Sequence, residues 1–129
     1  MKVSSFLAFA AVISGLYGLG FLLAPESVLG VYGLKPTEGA FLNICRLLGA
    51  AQLGFGVTAW MARSAPVSTL QPVLAGMSAG MVAGFCASLY RQFNGGTPMG
   101  WLNVALYALL AAGALYFLTR REASRMQMA

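Results

Sequence analysis

Apolar residues run along this chain in four long blocks, separated by short breaks that hold most of the charges and prolines. The blocks are residues 3–24 (VSSFLAFAAVISGLYGLGFLLA), 40–62 (AFLNICRLLGAAQLGFGVTAWMA), 69–90 (TLQPVLAGMSAGMVAGFCASLY) and 98–119 (PMGWLNVALYALLAAGALYFLT). At about 1.5 Å per residue, each block forms a helix of roughly 33 Å. That length crosses a hydrocarbon core of about 30 Å with slight tilt. Lipid offers no partner to a bare N–H or C=O, so a spanning segment must bond to itself, and the helix does so. The pattern predicts an all-α fold, a four-transmembrane-helix bundle, as a single integral membrane domain over residues 1–129.

The breaks predict how the helices start and stop. Lys2 precedes the first block as the n-region of a signal peptide would, but the block is longer than an h-region and Leu23-Ala24 is followed by Pro25, so a retained first helix is expected. In PESVLGVYGLKPTEG, Pro25 and Glu26 suit the first turn of a short helix and Gly33 with Pro36 suits its end. An interfacial helix and an apolar loop folded over the helix ends both fit this stretch. Ser68 with Gln71 has the spacing of a capping box for the third span, and Thr97-Pro98 reads as N-cap and N1 of the fourth.

Composition strengthens the membrane reading. The chain is 59% hydrophobic and only 9% charged, against about 25% charged in soluble domains. A small soluble domain could not cover its surface with so few charges. The net charge is +5, yet the cations punctuate apolar blocks and do not cluster with aromatics on a polar face, which argues against nucleic acid as a partner. Lys2, Arg63, Arg120, Arg121 and Arg125 fall at one end of the spans, and Lys35 and Arg91 at the other with Glu26 and Glu38. That bias predicts a bacterial cytoplasmic (inner) membrane protein with both termini in the cytoplasm, Trp60 near the inner interface and Trp101 near the outer. The lipid bilayer is the expected partner. The basic tail TRREASRMQMA reads as a topology anchor, and contact with anionic lipid is only weakly signalled.

Arg46 is the charge that stands inside a block. If the second helix begins near residue 40, this arginine lies about 9 Å in, where its long side chain can snorkel to the interface. Snorkelling, a structural pair with Glu26 or Glu38, and a ligand or lipid-headgroup site all fit. Asn43 lies one turn earlier, and the predicted outer halves of the spans also hold Tyr17, Cys45, Cys86, Tyr90, Asn103 and Tyr107. Polar groups in spans usually face protein, so the candidate polar cluster is Arg46, Asn43, Asn103, Glu26, Glu38, Tyr17 and Tyr107, with Arg46 and Asn43 turned inward and Asn103 nearby. Cys45 and Cys86 are expected to be free, small apolar fillers. Gln52, deep in the second span, is expected to bond another helix.

Gly76, Gly80, Gly84 and Ser88 recur every four residues in the third span. Small residues so spaced let another backbone approach, either from this chain or from a second copy or another membrane protein. Weaker versions occur at Ala10, Ser14 and Gly18, and at Ala50 and Gly54. The likeness of GLYGLGF to GAAQLGF is too common in glycine-rich spans to establish a duplication.

Catalytic constellations are not visible. The chain has no His and no Asp, so common triads and most metal sites cannot be built. No carboxylate lies within a span to carry protons. Catalytic, cofactor-binding and metal-ligating residues are therefore expected to be none, and the seven Met read as adaptable packing.

The run LLAPESVLGVYGL followed by RLLGAAQLGFGVTAW resembles small four-helix bacterial membrane proteins of the DoxX-like type. There an Arg near a helix start is followed by glycines at helical spacing, here Arg46, Gly49, Gly54 and Gly56. The resemblance implies the fold. Name-giving members are associated with quinone-linked sulfur oxidation, but no redox motif in this chain carries that activity across. Small multidrug transporters use a Glu within the first span, whereas Glu26 lies after it; fluoride channels carry a polar, Phe-rich motif where this chain has its glycine row. The leading expectation is a structural or accessory membrane protein. A binder or carrier of a small lipophilic or anionic molecule at the polar cluster is second, and a quinone-linked redox protein third.

Overall fold

The computed structural model describes residues 2–35 and 38–126. The fold is all-α: α1 (Val3–Leu23), α2 (Pro25–Val31), α3 (Gly39–Ala62), α4 (Val67–Phe93) and α5 (Gly100–Met126). Four helices, α1, α3, α4 and α5, are long and apolar enough to cross a membrane. The chain divides into two compact units, Met1–Ser64 and Ala65–Ala129.

In the first unit α1 and α3 run antiparallel with their backbones in direct contact. A Cβ on Gly18 would stand 2.7 Å from the Leu53 nitrogen and 2.9 Å from the Gly49 oxygen. A Cβ on Gly49 would stand 2.6 Å from the Leu22 nitrogen and 2.8 Å from the Gly18 oxygen. Further along, a Cβ on Gly56 would lie 3.1 Å from both the Ala11 oxygen and the Gly15 nitrogen. The expected small-residue contacts through Ala50 and Gly54 are not the ones α3 uses here. Gly54 has nothing within 4 Å, because Gly49 and Gly56, seven residues apart, stay on one face while Gly54 turns away.

α2 folds back over the end of this hairpin. Pro25 at N1 fits a helix start and disfavours helical geometry at the preceding residue, and Ala24 ends α1 at φ −140°, ψ 59°. The Val28 side chain lies 3.0 Å from where a Cβ on Gly20 would stand. α2 stops in a Schellman turn: the Leu34 N–H donates to the Leu29 carbonyl and the Gly33 N–H to the Gly30 carbonyl, each at 3.0 Å. The turn needs a left-handed residue, and Gly33 supplies it at φ 73°. The short helix, rather than the loop, is thus the form of this stretch; Pro36 lies outside the described residues.

In the second unit α4 buries Leu70, Leu74, Met77, Ser78 and Met81, and α5 buries Val104, Leu110, Ala111 and Ala114. Gly84 lies on the same stripe of α4, and a Cβ there would run into the Tyr107 ring. Two expected starts shift. α4 begins at Val67 with Pro66 at the N-cap and no side-chain cap, so Ser68 is already inside the helix. α5 begins at Gly100, after a tight turn in which the Gly100 N–H donates to the Thr97 carbonyl at 2.9 Å and the Leu102 N–H to Met99 at 3.1 Å. Pro98 therefore opens a turn and not the helix.

Because the α1–α3 contact has no room for a side chain, Gly18→Leu and Gly49→Leu are each expected to cost at least about 1–3 kcal/mol by overpacking. Gly54→Leu, in open space, is expected to leave stability within about 0.5 kcal/mol. Unfolding in a mild detergent, followed by circular dichroism, measures the contrast. Equal behaviour of all three variants would contradict the contact.

Candidate functional site

The polar residues singled out above fall in both units. In the first, α3 carries Asn43 and Arg46, and both are exposed. Arg46 stands seven residues after Gly39, the first residue of α3, or about 10 Å along the axis. Glu26 in the first turn of α2 and Glu38 at the N-cap of α3 are exposed as well. Among the described residues no ion pair joins Arg46 to either glutamate. The first unit thus does not enclose Arg46 and Asn43.

Tyr17 is engaged elsewhere. Its hydroxyl meets that of Tyr32 at 2.5 Å, fastening the end of α2 to the middle of α1. Tyr32 is buried, and its role was not visible from the sequence because the partner lies across a chain reversal. Tyr17 also lies beside Phe21, ring centroids 6.3 Å apart. Cys45 is buried in the first unit and Cys86 exposed in the second, both as free thiols.

Asn103 and Tyr107 belong to the second unit, where both are half-buried on α5 and engaged in further interactions. The Tyr107 ring covers Gly84. The rest of the glycine row behaves differently: Gly76 and Gly80 are exposed with nothing within 4 Å. A four-residue step advances about 40° round a helix, so three steps drift by about 120°. Gly84 and the half-buried Ser88 therefore sit on the packed stripe while Gly76 and Gly80 leave it.

The turn between α4 and α5 is built by side chains that sequence reading passed over. The Gln92 amide donates to the Thr97 carbonyl at 2.6 Å, and its side chain fills the space a Cβ on Gly96 or Gly100 would need. Arg91 donates to the Asn94 carbonyl at 3.3 Å and to Gly95 at 2.8 Å, satisfying carbonyls at the end of α4. Gly95 takes φ 91°. Phe93 and Trp101 meet edge to face with centroids 6.3 Å apart.

At the opposite end of the first unit, the Arg63 guanidinium carbon lies 3.5 Å from the Trp60 ring centroid. Beside this pair, Ala11, Val12, Gly15, Leu53, Gly56, Val57 and Trp60 line an open apolar groove of about 220 Å³. Among the described residues no group of His, Cys, Asp or Glu could hold a metal ion.

No curated protein and no solved structure matches the chain. The profile of one family, described as a domain of unknown function (DUF8292), matches residues 8–125. That match takes in all of α3 and α4 and most of α1 and α5, and the chain belongs to the DUF8292 family.

Proposed function

We propose that this protein is a structural or accessory component of a bacterial cytoplasmic-membrane complex, with four spans and both termini in the cytoplasm. The observation that carries the reading is the bare face of α4. Ala75, Gly76, Ala79, Gly80, Ala83 and Ala87 are all exposed, and Gly76 and Gly80 have open space around them. In lipid, helices gain little from hiding apolar surface; they associate where small residues let backbones touch. A face that its own unit leaves this bare suits a further helix, such as one from a second copy or from another membrane protein. The family match adds no activity to this reading, and the sequence resemblance to DoxX-like proteins adds none either.

Orientation rests on the Lys and Arg distribution, with Lys2, Arg63, Arg120, Arg121 and Arg125 on the side assigned to the cytoplasm. A green fluorescent protein fused after residue 129 is expected to fluoresce, and alkaline phosphatase at the same place to be inactive. The reverse pair of results would overturn the orientation.

Cys86, exposed on α4, is a built-in probe of association, because the only other cysteine, Cys45, is buried. A short bis-maleimide applied to native membranes is expected to give a covalent adduct, either a dimer of this chain or a complex with a different one. Cys86→Ser should abolish the adduct, and Gly80→Leu should reduce it at least about fivefold, the change produced by roughly 1 kcal/mol. Absence of any adduct, with the extracted protein monodisperse and monomeric, would count against the proposal.

A further inference from the structure

We propose that the groove between α1 and α3 holds an acyl chain of an anionic phospholipid, with Arg63 taking its phosphate. The groove exists because the floor is bare. Ala11, Gly15 and Gly56 carry little or no side chain where α1 and α3 touch, while Val12, Leu53, Val57 and Trp60 line the sides of a volume of about 220 Å³. Its length along α3, from Leu53 to Trp60, is about 10 Å, the scale of an acyl segment. The walls offer no polar side chain, so the occupant of the groove proper is hydrocarbon.

The end of the groove is different in chemistry. Trp60 closes it, and the Arg63 guanidinium is stacked on the Trp60 ring, which holds the cation beside the opening. Lys2, exposed before the first turn of α1, stands at the same end of this antiparallel pair. The acids of the unit, Glu26 and Glu38, are near the other end, at the starts of α2 and α3. A site with an apolar trough, an interfacial tryptophan and two cations with no acid fits a lipid that joins a chain to a negative headgroup. A helix from a second copy would fill the trough but has no need of the cations.

Two substitutions separate the parts. A Cβ on Gly15 meets nothing within 4 Å, so Gly15→Leu fills the groove without pressing the helices apart. Arg63→Gln keeps the groove and removes the charge. The full chain is reconstituted in vesicles of equal phosphatidylglycerol and phosphatidylcholine, extracted gently, and its retained lipids are counted by native mass spectrometry. The wild type is expected to retain phosphatidylglycerol over phosphatidylcholine by about fivefold, the preference given by one well-placed basic group. Gly15→Leu should lose both lipids, with circular dichroism and elution volume unchanged, and Arg63→Gln should retain both about equally. Retention unchanged by Gly15→Leu, or no preference in the wild type, overturns the proposal. So does a wild-type dimer that Gly15→Leu converts to monomer, since the groove would then be a helix-docking surface. The lipid count is independent of the Cys86 adduct, so either proposal can fail alone.

Discussion

The contact between the α1 and α3 backbones is the constraint on which the first unit depends. Inside a bilayer, two apolar helices gain almost nothing by leaving lipid for each other. They gain by close packing, because each atom pair adds about 0.1–0.2 kcal/mol and a gap forfeits much of it. Gly18 and Gly49 remove the side chains that would hold the axes apart, each reaching the other helix's main chain. The same exchange sets the register, since only one sliding position puts Gly18 against Gly49 and Gly56 against Ala11 and Gly15 together. That bare floor is also what leaves the groove beside it.

From this register the turn follows. α1 must end where Pro25 restricts Ala24, and α2 must lie back along α1, where Gly20 gives room for Val28 and Tyr17 gives a hydroxyl to Tyr32. Gly33 then releases the chain toward α3. The second unit solves its turn with side chains. Gln92 and Arg91 bond the main chain between Asn94 and Thr97, and glycines at 95, 96 and 100 make the space. Both reversals satisfy their carbonyls locally, as a helix end near lipid must.

Four helices long and apolar enough to cross a membrane were legible in the sequence because hydropathy reports a local demand, whereas the stretch after Pro25 left a short helix and a loop both open and α2 settles it as a helix. The helix faces were less legible. The row Gly76, Gly80, Gly84, Ser88 reads as one stripe in a four-residue alphabet, but the helix turns about 100° per residue, and only Gly84 meets a neighbouring ring. The contact that matters in the first unit uses Gly49 and Gly56, whose seven-residue spacing was in view within a glycine-rich run. The polar cluster was inferred from depth, and depth says nothing of azimuth. Arg46 and Asn43 are exposed, while Tyr17, packed nearer the level of Leu53, turns to Tyr32.

The two ends of each unit are built on different chemistry, and this bears on how the cations are to be counted. At the α4–α5 turn, Arg91 is consumed by main-chain carbonyls just past the end of α4, close to the negative end of that helix's dipole. At the far ends, cations are paired with aromatic rings instead: Arg63 with Trp60 at 3.5 Å, and Arg120 with Tyr116 at 5.0 Å. A stacked guanidinium keeps its full charge and gains about 0.5–1 kcal/mol where exposed, while the ring anchors the helix at the headgroup level. An arginine capping carbonyls spends its charge on the protein, whereas Arg63, stacked on the Trp60 face, leaves the N–H edge of its guanidinium clear of the ring.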